Sequence, residues 1–214
     1  MLRVAIVDDH RLFRTSLSML VSTFPNVEVV LEAENGQALL INLPACSVDI
    51  VLLDIQMPQM DGYQTIEHLV RKFPEIKILV LSQITTRESI HRCIGLGAHG
   101  YFSKNSNPEQ LQTAIFDLDD QGFYFGMELG SVLSKALVGE KPGKYDDTVT
   151  LSNRELDIIK MAAKEMSSAE IAEALFINVR TVETHRKRIM EKTGSKNFIG
   201  SILYAIRRDY ITLP

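Results

Sequence analysis

Five short apolar segments alternate with amphipathic helical patterns over the first 120 residues, and this alternation constrains the fold more than any other feature. The apolar segments span residues 2–7, 27–33, 50–53, 76–81 and 101–102, and the helical patterns span 11–22, 36–43, 63–72, 87–96 and 108–119. The 50–53 segment has no polar residue, as expected of a parallel strand buried on both faces. Strands that alternate with helices through right-handed crossovers form a doubly wound α/β domain. The sequence therefore predicts a five-stranded parallel sheet covered by helices.

The alternation stops after residue 122, and the rest of the chain has no strand pattern. One more helix is predicted over 128–138, and residues 139–148 form a polar linker. Capping boxes at Ser152–Glu155 and Ser167–Glu170 open two short helices. Asn178 begins a third helix that Gly194 ends, and a fourth covers about 197–208. We therefore predict an α/β domain over 1–121, a connecting helix and linker over 122–149, and a small all-α four-helix domain over 150–214.

The charge is distributed unevenly between the two predicted domains. Residues 1–138 carry 10 basic against 16 acidic side chains, whereas residues 151–214 carry 11 against 8. A basic C-terminal region is a weak indication of nucleic-acid contact. The N-terminus does not resemble a secretory signal, no apolar run could span a bilayer, and two cysteines form neither a disulfide framework nor a metal site. We expect a cytoplasmic protein with no membrane partner.

Acidic residues follow the predicted strands at the sheet edge where open parallel sheets bind ligands. Asp8 and Asp9 follow the first strand and Asp54 the third, while Ser82 follows the fourth and Lys104 lies just past the fifth. Three carboxylates at one place repel one another, and Mg²⁺ relieves this repulsion. One carboxylate can then attack a phosphoryl group, with the lysine and hydroxyl stabilising the added oxygens. Taken alone, the Asp pair after the first strand is equally typical of an ordinary loop, and the lone Asp54 is a weaker signal still.

Residues 1 to about 120 resemble the receiver domain of bacterial response regulators. The resemblance is carried by Asp8-Asp9, Asp54-x-x-x-Pro58, Ser82 and Lys104. It implies a flavodoxin-like sheet in which Asp54 accepts a phosphoryl group from a histidine kinase. The receiver promotes only its own phosphorylation and dephosphorylation, so we do not expect an enzyme.

The resemblance also implies roles for the residues around Asp54. Asp9 binds Mg²⁺ directly, Asp8 binds it often through water, and Asp54 and the backbone carbonyl of Gln56 complete the ligand set. Ser82 and Lys104 contact the phosphoryl group, and Tyr101 is the switch aromatic unless it only packs the core. The chain departs from the usual receiver pattern in two places. Asn105 replaces the common proline after the lysine, and Gln83 replaces a small residue beside the phosphoryl site.

The third helix of the C-terminal domain is predicted to be a DNA-recognition helix in a helix-turn-helix. With Val182 at the centre of the buried side, six residues project outward: Arg180, Glu183, Thr184, Lys187, Arg188 and Glu191. Residues 178–196 carry six basic side chains against two acidic ones, and Arg186, at the edge of the buried side, is one of the six. A solvated charged helix would show the same charges. His185 has a position that favours packing.

The C-terminal domain resembles the LuxR-type DNA-binding domain over about 150–211, through Leu151-Ser-Asn-Arg-Glu155, Ser168-Ala-Glu-Ile-Ala172 and Thr181-Val-Glu-Thr-His185. With the receiver, the chain resembles a NarL/FixJ-type response regulator. The resemblance implies that the last helix is a dimerisation helix. It implies base contacts by Glu183, Thr184 and Lys187, and phosphate contacts by Arg180, Arg188 and Lys192.

The sequence thus predicts a transcription factor whose binding to double-stranded DNA is controlled by phosphorylation of Asp54. The active form is expected to be a homodimer on symmetric half-sites, and the receiver is expected to cover the recognition helix beforehand. Three alternatives remain at this stage: a phosphorylation-independent regulator with a dimerising receiver, an aspartate-dependent phosphohydrolase, and a flavodoxin-like cofactor binder. Gln56 argues against the phosphohydrolase, because it replaces the expected acid/base Asp. Asp8 and Asp9 argue against the cofactor binder, because they would repel its phosphate.

Overall fold

The N-terminal half of the chain is a parallel sheet covered by helices in the computed structural model, which describes residues 1–124, 126 and 149–211. Its strands are β1 (Leu2–Val7), β2 (Val27–Ala33), β3 (Ile50–Asp54), β4 (Lys77–Ser82) and β5 (Gly100–Ser103). The helices that alternate with them are α1 (Arg11–Val21), α2 (Gly36–Asn42), α3 (Gly62–Lys72), α4 (Arg87–Leu96) and α5 (Pro108–Gln121). The predicted doubly wound α/β fold is confirmed. The predicted element bounds differ from the observed ones by at most two residues.

The strand order is β2-β1-β3-β4-β5, with every pair parallel. In this order the chain reverses direction across the sheet between β1 and β3, which opens a crevice at the carboxyl edge of those strands. The register pairs Val7 with Leu53, so the residues that follow them are neighbours at this edge. Helices α1 and α5 cover one face of the sheet, where Leu17, Val21 and Leu111 are buried.

Four helices form the C-terminal domain: α6 (Asn153–Ala162), α7 (Ser168–Ala174), α8 (Val179–Thr193) and α9 (Phe198–Arg207). Local signals set their ends as predicted. Both capping boxes are formed, Asn178 accepts a hydrogen bond from the Thr181 amide, and Gly194 ends α8 at φ 64°. The predicted helix over 128–138 and the linker over 139–148 lie outside the described residues. No helix in the described part of the chain is long and apolar enough to cross a membrane.

The two domains contact each other through α4 and α9. Every residue of α9 from Phe198 to Ile206 except Gly200 is buried, and the apolar core continues from the receiver side of this contact into the four-helix domain. Asn197 lies at the junction and is 2% exposed. Its side-chain nitrogen donates to the carbonyls of Ile94 (2.9 Å) and Ala98 (2.7 Å) at the end of α4. Its oxygen accepts from the Gly200 amide (2.7 Å), which caps α9.

Candidate functional site

Acidic side chains converge at the carboxyl edge of β1 and β3, as the sequence predicts. Asp8 and Asp9 follow β1, and Asp54 is the last residue of β3 rather than the residue after it. Ligand atoms of Asp8, Asp9, His10 and Asp54 lie within 4.8 Å of one another. Asp8 and Asp54 are buried, at 1% and 5% exposure, and Asp9 is half-buried. The pocket is therefore a compact cluster of three carboxylates and one imidazole, with Asp8 and Asp54 on its buried side.

Lys104 places its ammonium group between the two buried carboxylates. Its Nζ lies 2.5 Å from Asp8 Oδ2 and 2.9 Å from Asp54 Oδ2. Its backbone amide donates to the Ser82 carbonyl (2.9 Å), which fixes the loop after β5 against the end of β4. A buried ion pair is stable only where both charges are well compensated. Lys104 is thus the internal counter-ion of the acidic pocket.

Burial raises the pKa of the Asp54 carboxyl above its ordinary value, and the nearby Asp8 charge adds to the rise. The hydrogen bond and charge of Lys104 act in the opposite direction. The Asp54 Oδ1 also accepts a hydrogen bond from the Ile55 amide (2.8 Å), which orients the carboxylate. The position of Asp54 is therefore set by one backbone donor and one cation.

The donor set fits a hard divalent cation. Asp9 Oδ1 is buried and has no hydrogen bond of acceptable geometry among the described residues, although His10 Nδ1 lies 3.0 Å away. Carboxylate oxygens with room for water are the ligands that Mg²⁺ prefers. The sequence reasoning did not assign His10 to this cluster; its place directly after Asp9 was the available signal. The His10 side chain is 77% exposed, at the mouth of the pocket.

Ser82 and Tyr101 connect the pocket to the α4 side of the domain. Ser82 is fully buried and its hydroxyl accepts from the Ile84 amide (3.1 Å). The Tyr101 ring is also fully buried, and its hydroxyl donates to the Ile84 carbonyl. The same hydroxyl shares a hydrogen bond with Ser89 Oγ (3.2 Å) on α4. Tyr101 therefore packs in the core and at the same time links β5 to the loop before α4.

The two departures from the receiver pattern lie at the rim of the pocket. Gln83 and Asn105 are both exposed. All peptide bonds in the described ranges are trans, including that before Asn105. Gln56, whose backbone carbonyl is a predicted metal ligand, also lies exposed in the loop after β3. Three neutral polar side chains, Gln56, Gln83 and Asn105, are thus exposed in loops at this edge of the sheet, in addition to the exposed His10.

The outward side of α8 is exposed as the helical wheel predicts. The exposed members are Arg180, Glu183, Thr184, Lys187, Arg188 and Glu191, whereas Val182 and Ile189 are buried. Arg186, which the helical wheel places at the edge of the buried side, is buried, with a side-chain exposure of 5%, so five of the six basic side chains counted over 178–196 are exposed. Lys192 is exposed, but its ammonium group already forms an ion pair, with Nζ 2.7 Å from Glu155 Oε2.

Among the described residues, the receiver leaves the outward side of α8 exposed. It contacts α9 and the inner side of α8 instead. The Arg186 guanidinium lies 5.1 Å from the ring centre of Phe123, which follows α5, and 4.4 Å from that of Phe198. The sequence reasoning missed Arg186, Asn197 and Phe123 as contact residues. Asn197 begins the predicted fourth helix, and a residue type that commonly caps helices at that position was the available signal.

Comparisons with known proteins agree with both halves of this architecture. The family model of the response regulator receiver domain matches residues 4–116, and that of the luxR family of bacterial regulatory proteins matches residues 149–205. The chain therefore belongs to the NarL/FixJ-type two-component response regulators, transcription regulators that join a receiver to a LuxR-type helix-turn-helix domain.

Individual relatives match over nearly the whole chain. The oxygen regulatory protein NreC of Staphylococcus aureus is 33% identical over 215 residues, which cover 98% of this chain and 99% of NreC. The response regulator RcsB in complex with DNA superposes with a TM-score of 0.59 at 25% identity, over 99% of each chain. A second RcsB structure, with two dimers on two parallel DNAs, gives 0.58 at 26% identity over 99% of each chain.

Proposed function

We propose that Asp54 is the phospho-acceptor of this response regulator and that a histidine kinase is its phosphodonor. One observation carries the proposal: Lys104 Nζ lies within 2.9 Å of both Asp8 and Asp54 in a pocket that has an unsatisfied Asp9 oxygen. An Asp54 oxygen attacks the phosphorus of the kinase phosphohistidine. The P–N bond breaks as the new P–O bond forms, and the departing imidazole takes up a proton.

The residues around Asp54 have separate roles in this reaction. Asp8, Asp9, Asp54 and the backbone carbonyl of Gln56 would hold Mg²⁺, which supplies positive charge opposite the transferring phosphoryl oxygens. Lys104 exchanges its bond to the Asp54 carboxylate for one to a phosphoryl oxygen, and the Ser82 hydroxyl donates to another. A movement of Ser82 is transmitted to Tyr101, because both side chains form hydrogen bonds with the Ile84 backbone. The protein's own catalysis is limited to this phosphorylation and its reversal.

The output of this chemistry is DNA binding by α8. Glu183, Thr184 and Lys187 are the proposed base-contacting residues, and Arg180, Arg188 and Lys192 the proposed phosphate-contacting residues. Their exposure supports this assignment. A DNA target supports a cytoplasmic location for the protein. The proposed domains are the receiver over 1–121, the connector over 122–149 and the DNA-binding domain over 150–214.

Phosphorylation then acts on the contact between α4 and α9. The added group carries about −1.5 to −2 charges, and through Ser82 and Tyr101 it shifts the loop before α4. In the structure described above, which we call the docked form, α4 packs against α9. Release of α9 lets two chains form a homodimer on symmetric half-sites, the arrangement that fits a twofold-symmetric operator.

The experiment that tests this function is phosphorylation by a small-molecule phosphodonor, with and without Mg²⁺, of wild type and Asp54→Asn on a phosphate-affinity gel. A Mg²⁺-dependent shift that is lost in Asp54→Asn is the expected result. A shift that persists in Asp54→Asn would move the acceptor elsewhere. No shift in wild type, with DNA binding intact, would favour a phosphorylation-independent regulator that uses its receiver for dimerisation.

A further inference from the structure

Glu183 is an acidic side chain on the face that is proposed to meet DNA. Its side chain is 53% exposed, and its neighbours on that face, Lys187 and Arg188, are basic. An isolated carboxylate there would be repelled by the phosphate backbone, which dominates binding energy. The structure contains a compensating arrangement beneath it.

Three side chains form a closed hydrogen-bond network at this point. The Ser168 hydroxyl, at the start of α7, donates to Glu183 Oε1. Arg186 Nη1 donates both to Ser168 Oγ (2.6 Å) and to Glu183 Oε1 (3.2 Å). Both donors therefore converge on a single carboxylate oxygen. The second oxygen, Oε2, takes part in none of these bonds, and the Glu183 side chain as a whole is 53% exposed.

The burial of the three residues is unequal. Ser168 is 3% exposed and the Arg186 side chain 5%. The Arg186 guanidinium is held over the rings of Phe123 and Phe198, and its Nε and Nη2 atoms have no hydrogen-bond partner among the described residues. Glu183 is the carboxylate within ion-pairing distance of this buried cation. Two buried, fixed groups thus hold one exposed carboxylate and neutralise its charge.

We infer that Ser168 and Arg186 are positioning residues that present Glu183 Oε2 to a base edge and make the protein select cytosine at one position of each half-site. A carboxylate recognises cytosine by accepting from its N4 amino group in the major groove. A fixed rotamer avoids most of the entropy loss on ordering a long side chain. The Arg186 charge removes much of the phosphate repulsion. This inference deepens the proposed DNA-binding function and rests on it.

The test selects preferred sites from a random duplex DNA library with the full-length chain, treated with phosphodonor and Mg²⁺. Wild type, Glu183→Gln, Ser168→Ala and the double variant are compared. We expect Glu183→Gln to lose a cytosine preference at one position per half-site, by roughly threefold to tenfold, and Ser168→Ala to lose part of it at the same position. The double variant should be no worse than Glu183→Gln alone, because Ser168 acts through Glu183.

The controls separate positioning from a general structural role. Ser168→Thr retains the hydroxyl and should retain the cytosine preference, and thermal unfolding checks that each variant folds. The slope of log affinity against log salt should stay constant in Ser168→Ala, because no phosphate contact is removed. The inference would be overturned if Glu183→Gln had the same base preference as wild type at every position of the selected sites. It would also be overturned if Ser168→Ala lost affinity equally for all selected sequences. Failure of wild type to select any site would instead overturn the DNA-binding proposal.

Discussion

Replacement of Asn197 by aspartate should separate the two domains without uncapping α9. The aspartate retains the side-chain oxygen that caps the Gly200 amide, a role in which Asp and Asn are equivalent. It replaces the amide nitrogen, which donates to the Ile94 and Ala98 carbonyls, with a second oxygen. Two hydrogen bonds are lost and two buried carbonyls face a carboxylate.

The magnitude follows from these two bonds. Each is worth about 1 kcal/mol net, and leaving a buried acceptor unsatisfied adds a comparable cost, so the contact weakens by about 2–4 kcal/mol. This raises the ratio of separated to docked molecules by roughly 30-fold to 800-fold. Small-angle scattering should show a larger radius of gyration, and amides at the end of α4 should exchange faster with deuterium.

Asn178→Asp is the matched control. Asn178 caps α8 through the same kind of bond to the Thr181 amide (2.8 Å) but is exposed. It should leave both the radius of gyration and exchange at α4 unchanged. If Asn197→Asp were as compact as Asn178→Asp, with equal protection of α4, then the Asn197 bonds would not hold the domains together and the reasoning would be refuted.

Other variants test the pocket, the thiols and the DNA contacts. Lys104→Met leaves buried carboxylates without their counter-ion, so its melting temperature should fall, and Mg²⁺ should raise it more than in wild type; equal Mg²⁺ effects would contradict this. Gln83→Ala should change the rate of phosphorylation or dephosphorylation, because Gln83 is exposed and directly follows Ser82. Unchanged rates of both reactions would contradict this prediction. Burial raises the pKa of the Cys93 thiol to about 12, so a thiol reagent at pH 8 should modify only Cys46 in the folded protein and both cysteines after denaturation. Arg188→Ala should lower the slope of log DNA affinity against log salt concentration by about 1, and the base preference at each position of the site should stay the same.

The acidic pocket could be predicted from sequence because its geometry follows from topology. Once β1 and β3 are parallel neighbours, the residues after Val7 and Leu53 must meet at one edge. Helix ends could be predicted equally well, because a capping box such as Ser152–Glu155 is complete within four residues. These features need only local chemistry and a strand order.

The domain contact could not be predicted in the same way. Asn197 caps its own helix through one atom and holds α4, about 100 residues earlier in the chain, through another. The helical wheel places Arg186 at the edge of the buried side, but its contacts with Ser168, Phe123 and Phe198 involve other elements of the chain. Helical periodicity places a residue on a side of its helix, but it does not identify which distant element covers that side.

The apolar covering of α9 has a thermal consequence. Contacts that remove apolar surface from water are driven by solvent entropy near room temperature, and they weaken on cooling. Much of the contact between α4 and α9 is of this kind, beside the two Asn197 bonds and the hydrogen bond between His91 and Arg207. Cooling should therefore shift unphosphorylated molecules towards the separated form. Phosphorylation then needs to supply less free energy to separate the domains in the cold. The same degree of phosphorylation should therefore give a larger fraction of separated molecules at low temperature than at high temperature.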